Sequence, residues 1–194
     1  EGGPALLGEA GREIPVEEIE RNPYQTRTRM DEVALAELAA SIQSAGMVQP
    51  IVVRKIDGGR YQLIAGQRRW AAAQRAGKRT VPAIVRVVSA EQALEMTIIE
   101  NLQREDLNPM EQARAYERLS KEFALTQEQM AHKTGKDRTS VANYQRLLKL
   151  PFEVQVEIEN GPLTLGHAKV LMSLESPELI AKVAKVVVED ALSV

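Results

Sequence analysis

Apolar positions in the first hundred residues change period several times, and each change marks an element. Ile14-Pro15-Val16 reads as a short strand. The run Arg21-Asn22-Pro23-Tyr24-Gln25-Thr26-Arg27 reads as a loop, because Pro23 breaks regular structure. Leu35, Leu38, Ile42 and Ala45 then recur at helical spacing, predicting a helix from Asp31 to Ala45 that Gly46 ends. Alternation resumes over Pro50–Lys55 and Arg60–Ala65, two strands joined at Asp57-Gly58-Gly59. A helix is expected over Gln67–Ala76, stopped by Gly77, then a strand over Val81–Val88. Ser89 opens a further helix, with Gln92 three residues on as its capping partner.

Beyond residue 106 the pattern is helical throughout. Asn108-Pro109-Met110-Glu111 combines an Asn cap, Pro in the first turn and Glu three residues after the cap. Thr126-x-x-Gln129 is a second capping box, and Ser176-Pro177 starts the last helix. The fold class is therefore α+β: a mixed α/β domain followed by an all-α domain. The expected divisions are a flexible tail over 1–12, a first domain over 13–106 and a helical domain over 107–194, with the boundary near 105–108.

Composition narrows the chemistry. With 44% hydrophobic but only 4% aromatic residues, the cores are built from Leu, Ile, Val and Ala. The chain has no cysteine, which excludes thiol catalysis, disulfides and zinc–cysteine sites and fits a cytoplasmic setting. Its two histidines lie far apart, against a His-based metal centre. No apolar run is long enough for a bilayer, so no membrane is expected. The net charge of −2 argues against general coating of nucleic acid. Charge is uneven, however: Lys133, Lys136, Arg138, Arg146 and Lys149 stand against only Glu128 and Asp137, the footprint of a localised DNA contact.

Two polar runs could converge on one anion. In Ala65-Gly66-Gln67-Arg68-Arg69-Trp70 a strand pattern gives way to a helical one at a glycine. A glycine lets backbone approach a ligand, the helix start offers N–H groups, and arginine forks match phosphate oxygens. In Glu100-Asn101-Leu102-Gln103-Arg104-Glu105 a carboxylate and an amide stand side by side, suited to a hard divalent cation, with an arginine after them. Each run taken alone also fits an ordinary solvated helix end. No Gly-x-x-x-x-Gly-Lys-Ser/Thr run occurs, against a P-loop enzyme.

Leu125 to Tyr144 has the layout of a helix-turn-helix. Ala131 lets two helices approach, Gly135 makes the turn and Val141 faces back. Arg138, Thr139, Ser140, Asn143 and Tyr144 are expected to point outward, residue types suited to base edges and phosphates. An ordinary helical hairpin with a charged face is the alternative. Later, Thr164-Leu165-Gly166-His167-Ala168-Lys169 starts a helix whose Gly166 and His167 could add a phosphate or base-edge contact.

In this order, Asn22-Pro23-Tyr24-Gln25, Gly46-Met47-Val48-Gln49-Pro50, Gly66-Gln67-Arg68-Arg69-Trp70, Glu100-Asn101-Leu102-Gln103-Arg104-Glu105, the helix-turn-helix and Leu165-Gly166-His167-Ala168 resemble the ParB family of chromosome and plasmid partition proteins. The resemblance covers nearly the whole chain from about Glu13. It implies an N-terminal ParB/sulfiredoxin-like domain that binds CTP with Mg2+, and a helix-turn-helix that recognises a palindromic parS site on double-stranded DNA. It also implies a homodimer through N-terminal domains, closing into a sliding clamp that hydrolysis of CTP to CDP and phosphate reopens. The implied partner is a ParA-type ATPase, through an N-terminal region that is mostly absent here, and the implied location is the nucleoid. By position, Gly66, Gln67, Arg68 and Arg69 match the phosphate motif. Glu100 and Asn101 match its metal end, and Arg104 belongs to the same run. Gln25, Thr26, Arg27, Gln49 and Pro50 fall in the loops around the nucleotide, and Lys133, Lys136, Arg146 and Lys149 join the DNA face.

Two departures stand out. The family usually has glutamate where this chain has Gln67, so CTP turnover through Gln67, with Glu100 the next candidate, is expected to be slow. The family's C-terminal dimerisation domain is expected to lie outside the chain. A nucleoid-occlusion protein of the same architecture, or a helix-turn-helix regulator without nucleotide chemistry, remains open. A sulfiredoxin-type enzyme is disfavoured by the lack of cysteine.

Overall fold

The structure is a computed structural model that describes residues 11–22, 31–104 and 107–194. The expected tail residues 1–10 and the loop residues Gln25, Thr26 and Arg27 lie outside the described residues. The chain divides into two compact units, Glu1–Thr97 and Ile98–Val194.

The first unit is built on five strands: β1 (Arg12–Pro15), β2 (Ile19–Glu20), β3 (Ile51–Lys55), β4 (Tyr61–Ala65) and β5 (Thr80–Arg86). They form one mixed sheet in the order β1-β5-β3-β4-β2. β3 and β4 are antiparallel, as their short connection requires. β3 and β5 are parallel, with antiparallel β4 and then a helix between them in the chain. That helix is α2 (Gln67–Arg75), and α1 (Glu32–Ala45) precedes β3. Asp31 caps α1 by accepting from the N–H groups of Val33 and Ala34. Gly46 ends it at φ 77°. The core joins Ile51, Val53 and Leu63 of the central strands to Ile42 of α1 and Ala72 and Ala73 of α2. Small alanines on α2 let that helix lie close. Trp70 packs half-buried against the same core.

Three expectations shift here. β1 takes in Arg12, the last residue of the expected tail, and ends at Pro15, while Val16 enters a 3-10 turn. The strand expected to reach Val88 ends at Arg86. β2 has only two residues, too short for an alternation to register, and is made by parallel pairing with β4.

α3 (Ala90–Leu102) crosses from one unit to the other, and the division falls between Thr97 and Ile98. Its start is the expected box: Ser89 N–H donates to Gln92 Oε1 at 3.0 Å, and Gln92 N–H to Ser89 Oγ at 3.1 Å.

The second unit continues with α4 (Pro109–Phe123), α5 (Gln127–Thr134), α6 (Arg138–Leu147), α7 (Phe152–Asn160), α8 (Leu165–Leu171) and α9 (Pro177–Glu189). The capping boxes expected at Asn108 and Thr126 form in full. Ser176 caps α9, with Pro177 in its first turn. The core gathers Met110 and Ala113 of α4, Leu147 of α6, Val154 and Ile158 of α7 and Leu171 of α8. Arg114 of α4 meets Glu159 of α7 through two hydrogen bonds of 2.7 Å. Hydrogen bonding to Arg114 holds the Glu159 carboxyl below its ordinary value. The pair is half-exposed, so it orients the two helices more than it stabilises them.

Candidate functional site

In the first unit the site is a junction of two loops. β4 runs into Gly66, which takes φ 95° and ψ 28° before α2 begins. A side chain there is blocked twice. The backbone is left-handed, and a Cβ would stand 2.9 Å from Ile51 Cγ2 and 3.3 Å from Arg69 Nη2. Gly66 offers no side-chain cap, so the first turn of α2 has no capping oxygen of its own. Arg68 is exposed and makes no hydrogen bond or ion pair among the described residues. Gln67 is only 9% exposed, with its side chain turned away from solvent.

Arg69 makes a contact that its sequence does not announce. Its Nη1 donates to the carbonyls of Gln49 at 3.0 Å and Pro50 at 2.6 Å. Those carbonyls lie just before β3 begins, where no strand partner is due, and a guanidinium satisfies both. Arg69 therefore braces the Gln49-Pro50 loop beside Gly66, with Nη2 and Nε still able to donate. The structure brings Gln49, Pro50, Gly66 and Arg69 together.

In the second unit, Glu100 is exposed and Asn101 half-buried in the last turn of α3, and Arg104 follows half-buried. The α5–α6 turn is built as its sequence suggests. Gly135 adopts φ 68°, and Lys136 N–H reaches back to Ala131 O at 3.1 Å, closing α5. Asp137 caps α6, accepting from Ser140 N–H at 2.7 Å and from Ser140 Oγ at 2.6 Å. These bonds hold the Asp137 carboxyl below its ordinary value, so the cap is charged at neutral pH. Val141 is fully buried against the preceding helices.

The outward face of α6 is narrower than expected. Arg138 and Thr139 are exposed, and Lys133, Lys136 and Lys149 are exposed around them. Asn143 is half-buried. The Ser140 hydroxyl is committed to the cap. Tyr144 does not point outward: its ring stacks on the buried Tyr116, centroids 5.8 Å apart at 28°. Apolar area favours that burial over exposure, and desolvation pushes both phenols up. Arg146 is exposed but donates through Nη2 to Met172 O at 3.2 Å.

Comparison with known proteins agrees with this architecture. The family model of the ParB N-terminal domain matches residues 5–102, and that of the ParB HTH domain matches 105–194. The chain belongs to the ParB family. It is 52% identical over 162 residues to a probable chromosome-partitioning protein ParB of Pseudomonas putida, covering 84% of this chain and 56% of that protein. It is 49% identical over 181 residues to the chromosome-partitioning protein ParB of Myxococcus xanthus, covering 93% and 61%. The chain thus spans little more than half the length of these ParB proteins. Its fold follows that of a C-terminally truncated ParB from Caulobacter crescentus complexed to the centromeric parS site. That match has a TM-score of 0.82 and 45% identity, and covers 94% of each chain.

Within this ParB chain, Gly166 and His167 are engaged locally. His167 Nδ1 accepts from Thr164 N–H at 3.1 Å, and Nε2 lies 3.1 Å from Leu192 O. Accepting at Nδ1 puts the neutral ring's proton on Nε2, which donates to Leu192. Val194 Cγ2 lies 3.0 Å from where a Cβ on Gly166 would stand. Three polar contacts carry no sign in the sequence. They are the Arg69 brace, the Gln127 Nε2 donation to Gln145 Oε1 at 2.9 Å that ties α5 to α6, and a buried pair at Asn22 and Thr97. All join residues far enough apart that no local spacing signals them.

The brace separates two adjacent arginines. Arg69→Ala leaves two carbonyls without their donor and should lower the stability of the first unit by about 1 kcal/mol or more, while Arg68→Ala should leave it unchanged. Urea denaturation of both variants checks this. Equal midpoints would remove the brace.

Proposed function

We propose that this chain is the nucleotide- and DNA-binding part of a chromosome-partition protein. It takes a parS-type palindrome on α5–α6 and CTP with Mg2+ on the Gly66 and Glu100 motifs, and works as a homodimer that closes into a sliding clamp. The observation that carries the nucleotide half is the Arg69 brace. It holds two family motifs, Gln49-Pro50 and Gly66-Gln67-Arg68-Arg69, against each other, with the uncommitted Arg68 guanidinium beside them. The DNA half is supported by the capped, basic α6 and by the likeness to a parS-bound relative.

Arg68 and the remaining donors of Arg69 would take phosphate oxygens, and the α2 amides would add N–H groups. Gln25, Thr26 and Arg27 would complete the nucleotide loops, and Arg104 would act with the Glu100 motif it belongs to. The donor set at Glu100 and Asn101 fits a magnesium ion carried in on a triphosphate: one exposed carboxylate and one amide oxygen at the carbonyl end of a helix. Among the described residues no group of three or more His, Cys, Asp or Glu could hold a metal alone. When bound, Mg2+ neutralises charge on the β and γ oxygens. Hydrolysis would have water attack the γ-phosphorus, with the bond to the β–γ bridging oxygen breaking to give CDP and phosphate. Gln67, or Glu100, would orient that water. The chain would work on the nucleoid beside a ParA-type ATPase; among the described residues no helix is long and apolar enough to cross a membrane.

Labelled CTP should bind in preference to ATP, GTP and UTP, and binding should fall when EDTA removes Mg2+. Binding to none of the four would leave a helix-turn-helix regulator as the reading.

Arg138 is exposed at the start of α6, where base edges are read. Arg138→Ala should weaken the specific site by about 1–3 kcal/mol and relax sequence preference, while Lys136→Ala should weaken all sequences alike and reduce the salt slope by about one. Titration of specific and scrambled duplexes at several salt concentrations decides it. A uniform loss from Arg138→Ala would make Arg138 a backbone contact.

Turnover should be slow because Gln67 cannot accept a proton as glutamate does. Gln67→Glu changes charge and keeps shape, so phosphate release with parS DNA should rise while CTP affinity stays close to that of the unaltered chain. Identical turnover in both forms would move the role to Glu100.

A further inference from the structure

The first unit holds a buried polar pair with no part in the nucleotide or DNA contacts described so far. Asn22 is 3% exposed and Thr97 is 1% exposed. Asn22 Nδ2 donates to Thr97 Oγ1 at 3.2 Å. The Thr97 hydroxyl in turn faces two carbonyls, Ile64 O on β4 at 3.2 Å and Ala93 O of its own helix at 2.9 Å. A hydroxyl has one proton, so the two carbonyls share it or take it in turn. Donation to Ala93 is the ordinary back-bond of a helical threonine. Donation to Ile64 ties α3 to the sheet.

The position of each partner gives the arrangement its meaning. Ile64 lies two residues before the Gly66 turn. Asn22 begins the Asn22-Pro23-Tyr24-Gln25 motif. Thr97 is the last residue of the first unit, and Glu100 and Asn101 follow three and four residues later in the same helix. Valine would fill the space of Thr97 as well, so packing alone does not call for a hydroxyl.

We propose that Thr97, held by Asn22, is a positioning residue for nucleotide binding: its hydroxyl hooks α3 to the strand that carries the Gly66 turn. This inference rests on the nucleotide reading proposed above.

The test compares Thr97→Val, which removes the hydroxyl at nearly constant shape, with Thr97→Ser, which keeps it. Three quantities are measured on the chain: CTP affinity, parS-duplex affinity without nucleotide, and amide hydrogen exchange of α3 without nucleotide. Thr97→Val should weaken CTP about tenfold, the scale of one buried hydrogen bond, and Thr97→Ser should stay within about threefold of the unaltered chain. Duplex affinity should be the same in all three. Exchange in α3 should be faster in Thr97→Val than in Thr97→Ser. Unchanged CTP affinity in Thr97→Val overturns the proposal, as does equal loss in both variants or parallel loss of DNA binding. If Thr97→Val does not fold, Asn22→Ala decides: weaker CTP binding supports the pair and unchanged binding overturns it. If the unaltered chain binds no CTP, the nucleotide reading fails by itself. The exchange comparison then stands alone, and equal α3 exchange in the two variants overturns the hook.

Discussion

Gly66 leaves no room for a Cβ, and the arrangement of the first unit follows from that. Because the backbone can turn left-handed at 66, β4 ends there and α2 starts at once, its alanine face on the sheet core. Because Ile51 presses into the space a side chain would occupy, the start of β3 sits against the turn. Arg69, one helical turn along, then finds the carbonyls of Gln49 and Pro50 within reach. One absent methyl group thus fixes a strand end, a helix start and a loop. An anion-binding loop needs this kind of rigidity, since donors already held in place lose little entropy when a ligand arrives.

The second unit solves a different problem. α6 must present side chains to solvent and yet be held by its neighbours. It does so by dividing its length. The N-terminal turn, capped by Asp137, keeps Arg138 and Thr139 outside. The C-terminal half is committed to the scaffold, with Tyr144 on Tyr116, Gln145 against Gln127, and Arg146 on the backbone at Met172. A helix tied at one end keeps a fixed rotation about its axis, so on the DNA reading proposed above its exposed residues would meet a groove at a set angle.

What the sequence makes legible here is what is local. The boxes at Ser89, Asn108 and Thr126 span three residues each, and their chemistry leaves few alternatives, so they form as expected. Gly46 and Gly135 end helices for the same reason. What stays hidden is chosen by packing over long separations. β2 exists only through β4, some forty residues on. Arg69 reads as a phosphate ligand because its residue type suits one, and only the fold shows that it also holds two carbonyls. Tyr144 reads as outward because it lies beside outward residues, but a phenol gains more from a buried aromatic partner than from water. Asn22 is recognisable as part of a motif, while its partner at 97 is not, because a threonine inside a helix carries no signal of its own.

The chain has a single tryptophan, and it is Trp70. It stands next to Arg69, half-buried on the core of the first unit, with an indole N–H that has no acceptor among the described residues. Selective excitation of indole therefore yields light from one place only, a residue away from the guanidinium that braces the candidate nucleotide loop. The helical unit is dark at that wavelength. Emission colour and quenching become a built-in spectroscopic channel for the first unit, one that would report the proposed nucleotide binding without a label.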